Sequence, residues 1–134
     1  MKPLLAFAFA LLMLPVAALA DPQTDATNAA KAWVALVDAG NYDQSWTESS
    51  SLMQARISKA DWAKAAKPVH DQLGAMVSRV PTGVDMLKSL PGAPDGDYAI
   101  VHFTTKFANK QDAKETITML LEGGKWKSAG YFIQ

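Results

Sequence analysis

The sequence predicts an α+β domain in which helices come first and an antiparallel sheet with one apolar face follows. Three observations carry this. Apolar residues recur at helical spacing from Ala26 to Val77. Strict alternation replaces that spacing after Tyr98. Gly123-Gly124 then joins the last two alternating runs. A chain with its helices ahead of its strands buries the sheet by laying the helices against one face.

Residues 1–20 read as a removable export leader. Lys2 supplies a positive start, residues 4–14 are apolar, and Pro15 ends the run. Ala18-Leu19-Ala20 then sets small residues at positions −3 and −1 before Asp21. The apolar run falls short of the about 20 residues that a bilayer span needs. The expectation is a periplasmic or secreted protein with one domain over residues 21–134 and no stable membrane insertion once the leader is gone. A domain of that size can bury a core without staples. The chain has no cysteine, so disulfides and thiolate metal sites are excluded. Thirteen basic residues balance thirteen acidic ones. The basic residues form no stripe, so nucleic acid is not expected as a partner.

Residues 21–25 are polar, contain Pro22 and read as a lead-in. Ala26, Ala29, Ala30, Trp33, Val34 and Val37 follow at helical spacing, with Thr24 or Asp25 as the cap and Gly40 as the stop. Residues 42 to about 55 read as a second helix with Tyr42, Trp46 and Met53 on one face. Ser58 opens a third helix. It can cap the amide of Asp61, while Ile57 and Trp62 form a hydrophobic staple. The apolar face of this helix runs through Ala65, Ala66, Val69, Leu73, Met76 and Val77. Pro68 lies inside it and should kink or briefly break it near Lys67, because proline removes a hydrogen bond and clashes with the preceding turn. After Arg79 the period changes. Residues 80–90 read as a poor strand, and residues 91–96 are dense in turn formers. Residues 98–107, 113–122 and 125–134 alternate as strands, giving a sheet of about four.

If Gly123-Gly124 is a two-residue hairpin turn, Glu122 faces Lys125 and Leu121 faces Trp126. Met119 then faces Ser128, Ile117 faces Gly130, and Glu115 faces Phe132. A loop over 108–112 would pair Phe107 with Ala113 and Phe103 with Ile117. The face carrying Val101, Phe103, Thr105, Ile117, Met119, Trp126 and Phe132 is nearly all apolar. A one-residue slip would bury the lysines of the other face. On that polar face Tyr98, Ile100, Leu120, Tyr131 and Ile133 stand out as apolar, which motivates a homodimer through the outer sheet face.

Several strings suggest a family. Ala29-Ala30-Lys31-Ala32-Trp33 and Asp38-Ala39-Gly40 lead into Tyr42 and Ser45-Trp46, and Ser58-Lys59 precedes Trp62. The most specific string runs from Ser89-Leu90-Pro91-Gly92 through Ala93-Pro94-Asp95-Gly96 to Asp97-Tyr98. Phe103, Phe107, Asn109-Lys110, Glu115-Thr116, Trp126 and Gly130-Tyr131 follow. Together they resemble the small exported bacterial proteins of the domain of unknown function 4019 family, over about residues 29–133. The order of elements also looks like the cystatin-like, nuclear-transport-factor-2-like cone. The resemblance implies bacterial export, one domain and that fold. The family has no agreed activity, so no catalytic residue carries over.

Glu115 is the one charge on the apolar face. A carboxylate facing a pocket would have a raised pKa and could move protons. Its place near the 107–113 end of the hairpin favours a wet rim instead, where it would titrate near about 4.3. Tyr42 and Asp43 could polarise a carbonyl and take its proton, but an aspartate at a helix start is more often a cap. His70, at the edge of the third helix's apolar face, could act as a base near neutral pH, and a structural role is favoured. Glu115, Asp43 and His70 are thus weak candidates, and no catalytic residue is assigned. Trp33, Tyr42, Trp46, Phe103, Thr105 and Glu115 are expected around a ligand pocket between sheet and helices. Trp33, Trp46, Trp62 and Trp126 are read first as core. No cofactor is expected, and no metal: His70 and His102 are far apart, and zinc needs three or four ligands.

The leading expectation is an exported, non-enzymatic domain that binds a small apolar ligand or a protein partner. The rival is an isomerase- or dehydratase-like enzyme with an acid/base residue in the pocket. A third reading is a structural component of envelope or secretion machinery. Cleavage is expected after Ala20. N-terminal sequencing of the exported form should read Asp-Pro-Gln, and an intact Met1 on a membrane-bound species would contradict this.

Overall fold

Four helices precede four strands in the computed structural model, which describes residues 21–134; the expected leader lies outside the described residues. The helices are α1 (Pro22–Asp38), α2 (Tyr42–Thr47), α3 (Ser51–Arg56) and α4 (Lys59–Leu73). The strands are β1 (Met76–Leu87), β2 (Tyr98–Phe107), β3 (Lys110–Glu122) and β4 (Lys125–Ile133). They form one open antiparallel sheet in the order β1-β2-β3-β4. The architecture is α+β, as expected.

Local chemistry sets the helix limits. Helix α1 starts earlier than expected: the side chain of Asp21 accepts from Thr24 N at 2.8 Å, and Pro22 fills the first turn, where its missing N–H costs nothing. The expected single helix over 42–55 is two. Ser50 caps α3 by accepting from Met53 N, and its own amide donates to Ser128 O of β4 at 2.8 Å. A backbone bond to the sheet is incompatible with an uninterrupted helix, so the chain breaks at residues 48–50. Ser58 caps α4 as expected, accepting from Asp61 N at 3.1 Å.

Helix α4 runs past Pro68 as one element. Pro68 lies on the exposed side, and the buried residues Trp62, Ala66, His70 and Leu73 hold the helix on both sides of it. The helix ends at Gly74, sooner than its apolar pattern suggests, and Met76 and Val77 belong to β1. Gly74 has φ +75°, and a Cβ there would lie 3.0 Å from Asn109 Nδ2. The β2–β3 turn presses against this end: Asn109 donates through its amide to Leu73 O and through Nδ2 to Gln72 O.

The sheet register corrects two expectations. The β2–β3 turn is only Ala108-Asn109, so Phe103 pairs with Glu115 and Val101 with Ile117. That is a two-residue shift, which keeps every side chain on its expected face. The β3–β4 turn is as expected: Gly123 and Gly124 both have positive φ, and Leu121 pairs with Trp126 and Met119 with Ser128. Beyond that, Ala129 is an extra residue in β4, and the ladder resumes at Thr118 with Gly130. The bulge reverses the alternation. Glu115 pairs with Ile133 rather than Phe132, Tyr131 turns inward, and Phe132 is 58% exposed.

The bulge also changes the outer face. Of the five apolar residues expected there, Tyr131 and Ile133 pack inward against the two core clusters. Tyr98 is buried beneath the β1–β2 loop, where its hydroxyl donates to Pro94 O. The main core joins Ala26, Ala30, Trp33, Val34 and Val37 of α1 to Trp62 and Ala66 of α4 and to Val101, Phe103, Ile117 and Met119 of the sheet. Trp126 packs half-buried against it. Phe103 is at its centre, so Phe103→Ala should cost about 3–5 kcal/mol in urea unfolding. A loss below about 1 kcal/mol, the size of an ordinary surface change, would contradict this face assignment.

Candidate functional site

Glu115 is buried, not at a wet rim: its side chain is 0% exposed. The correction follows from the short β2–β3 turn, which moves Glu115 two residues inward from the hairpin end. What makes the burial tolerable is Arg79 of β1, whose side chain is 6% exposed. Strand β1 pairs Arg79 with Thr105 on the inner face of the sheet. Arg79 Nε donates to Glu115 Oε1 at 2.7 Å and Nη2 to Oε2 at 3.2 Å. The same guanidinium donates from Nη1 to Asp38 Oδ2 at 2.6 Å and from Nη2 to Oδ1 at 3.1 Å. Thr105 Oγ1 donates to Glu115 Oε1, and the Tyr131 hydroxyl donates to Oε2. Each Glu115 oxygen therefore receives two hydrogen bonds.

The electrostatics follow from this geometry. Burial alone would raise the Glu115 pKa, but the bonds from Arg79, Thr105 and Tyr131 outweigh it and hold the carboxyl below its usual range. Burial works against the Arg79 charge too, and the two carboxylates more than restore it. Tyr131 is pushed up by burial and by the charge of Glu115, so its proton stays in place. The cluster is an ion-paired network with its donors and acceptors committed.

His70 is also buried, 9% exposed. Its ring lies 5.9 Å from Tyr131, 6.2 Å from Phe107 and 6.5 Å from Tyr42, centroid to centroid. Burial lowers its pKa, so the imidazole is neutral at pH 7. Asp43 is exposed in the first turn of α2, and its residue neighbour Tyr42 is half-buried. Glu115, Asp43 and His70 thus occupy three different surroundings.

Trp33, Trp46 and Trp62 are tied into the scaffold by their indole N–H groups. Trp33 Nε1 donates to Ser45 O at 2.9 Å and Ser49 Oγ at 3.1 Å; Trp62 Nε1 donates to Ser45 Oγ at 2.8 Å; Trp46 Nε1 donates to Ile57 O at 2.8 Å. Two clefts flank this core. One, of about 560 Å³, lies between α1, α2 and β4 and is bordered by Trp33, Gln44, Glu48, Trp126 and Lys127. The other, of about 220 Å³, lies between α4 and β4 and is bordered by Trp62, Ala66, Val69, His70, Tyr131 and Phe132. Among the residues expected to share one pocket, Trp33 borders the larger cleft, while Phe103, Thr105 and Glu115 are packed into the interior. Among the described residues, no three His, Asp or Glu side chains are placed to hold a metal, and no helix is long and apolar enough to cross a membrane.

Arg79, Asp38 and Tyr131 were missed from sequence. Two signals pointed to them. A lone carboxylate on an apolar sheet face requires a buried counter-charge. Asp38 ends α1, where the helix dipole disfavours an acid unless a cation meets it. Reading β1 from Met76 rather than Val80 would have put Arg79 on a strand.

A family model described as "Protein of unknown function (DUF4019)" matches residues 29–131. Among curated proteins, none matches the chain.

Arg79→Met should lower stability at pH 7 by about 3–5 kcal/mol, the cost of stripping a buried charge of its partner. Acidification sets the sign of the remaining effects. The folded-state pKa of Glu115 lies below its unfolded value, so its stabilisation is present above about 4.3 and is lost as pH falls through the folded value. His70 is also depressed when folded, so the unfolded chain protonates first and stability declines below about 6.5. Urea midpoints of the unaltered protein should therefore fall from pH 7.5 to pH 3.5. In Arg79→Met, part of the loss should return on acidification, because protonation removes uncompensated buried carboxylate charge. A variant as stable as the parent at pH 7 would contradict the network.

Proposed function

The chain belongs to the DUF4019 family, and from the site it carries we propose that it is an exported, non-enzymatic domain that binds a small apolar ligand in the α4–β4 cleft. One observation carries the non-enzymatic part. The carboxylate on the inner sheet face is ionised, with four hydrogen bonds and a guanidinium on it. A general acid or base needs a group free to exchange its proton with a reacting atom. Glu115 has no free lone pair for that purpose, and the Tyr131 proton is committed to it.

The binding part rests on the cleft. Trp62, Val69, Tyr131, Phe132 and Ile133 border it, and Phe132 and Val69 are exposed. Concave apolar surface with few polar groups is the usual setting of a small-molecule site. The Ala129 bulge creates this wall by turning Tyr131 inward and Phe132 outward. The charge network beneath it fixes Tyr131, and so keeps the cleft in shape.

The test is direct. Toluene titrated into the purified protein should shift the amide and indole resonances of Trp62, Ala66 and Ile133 in a saturable way. Val69→Lys, which sets a charge on the exposed rim, should weaken that binding several-fold without unfolding the domain. Saturable shifts confined to the α1–β4 cleft, or none at all, would overturn the assignment.

A further inference from the structure

The two edges of the sheet differ. Strand β4 is shielded: Ser50 N donates to Ser128 O at 2.8 Å, Ala129 bulges the strand, and Lys125 and Lys127 put charge on it. Strand β1 forms the other edge, and ten of its twelve residues are exposed. It carries no lysine, its Arg79 is turned inward onto Asp38 and Glu115, and its Asp85 lies 3.1 Å from His102 Nε2 of β2. Of the eight large apolar side chains exposed among the described residues, five are on β1: Met76, Val77, Val80, Met86 and Leu87. A long, exposed, apolar edge strand is a template for pairing with another chain. We propose that β1 pairs antiparallel with β1 of a second copy of this chain, joining two four-stranded sheets into one.

The strand's own pattern selects a second copy as the partner. Pro81 and the register shift after it interrupt the edge near its middle, since proline has no N–H to give a ladder. Two halves remain, 76–80 and 83–87. In a two-fold contact residue i meets j and j meets i, so the halves must match each other. They do: each carries two large apolar residues at its outer end, Met76-Val77 and Met86-Leu87. An axis through Pro81 sets Met76 of one copy against Met86 of the other, and the interruption falls once, on the axis. Both methionines pair with buried inner-face residues of β2, Phe107 and Ala99, and residues opposed across antiparallel strands share a face. The contact is about 35 Å long and about 15 Å broad, roughly 500 Å² per copy against the ~800 Å² of a standard interface. The dimer is therefore reversible, with a Kd on the order of micromolar rather than nanomolar. Association stops at two copies, because each copy offers one unshielded edge.

Sedimentation velocity of the purified protein from about 1 to about 500 μM should show a monomer–dimer equilibrium and nothing larger. Amide exchange along β1 should slow as protein concentration rises, while exchange along β4 should not change. Val80→Lys, beside the axis, brings a lysine of each copy toward the other and should weaken the dimer about tenfold or more, with the urea midpoint of the monomer nearly unchanged. Ile100→Lys, on the outer sheet face, should leave the dimer within about twofold. The exchange measurement on the unaltered protein decides the matter even if a variant fails to fold. A chain that stays monomeric at about 500 μM would overturn the pairing. So would a dimer whose β1 exchange is independent of concentration and which Ile100→Lys abolishes, because the contact would then lie on the outer face. Oligomers larger than two would overturn the two-fold arrangement.

Discussion

Arg79 joins the end of α1 to the middle of the sheet, and the rest of the structure is arranged to make that possible. One guanidinium grips Asp38 and Glu115 in two bidentate pairs. Each partner is otherwise poorly placed. Asp38 sits at a helix C-terminus, and Glu115 sits in an apolar face. The network therefore makes burial of all three conditional on the helix and the sheet docking in one register. Replacing such a cluster with apolar residues can be neutral, but removing one member is costly. Its role is to specify the docked arrangement.

That constraint also shapes what the domain can do. A carboxylate on the apolar inner face of a sheet suggests acid–base chemistry until its partners are counted. Here Arg79, Thr105 and Tyr131 take every lone pair of Glu115. The indole N–H groups of Trp33, Trp46 and Trp62 are likewise bonded to the scaffold. An apolar cleft lies at the edge, where α4 meets β4. There a β-bulge sets Tyr131 against the network and turns Phe132 out to solvent, beside the exposed Val69 of α4.

The fold was largely legible in the sequence, because hydrophobic period and turn chemistry are local. Ser58 as a cap and Gly123-Gly124 as a hairpin are examples. The inner face survived an incorrect β2–β3 register because the error was an even number of residues. Three features were not legible, each for a non-local reason. The break between α2 and α3 depends on a bond from Ser50 to Ser128, far along the chain. The Ala129 bulge inserts one residue where alternation alone shows none, and so exchanged Tyr131 and Phe132. Strand β1 is mostly exposed, so no alternation marks it, and Arg79 went unread as the counter-charge of Glu115. The candidate site was thus half visible. Glu115 and His70 stood out by type and position, while Arg79, Asp38 and Tyr131 required the fold.

Glu115 is a buried, ionised and fully partnered carboxylate. A carboxyl-carbon NMR titration of the folded protein tests it most directly. The network predicts that Glu115 titrates below about 4.3, the value for an unperturbed glutamate. An apparent pKa above about 6, the range to which enzymes tune a catalytic glutamate, would contradict it and make Glu115 a functional acid.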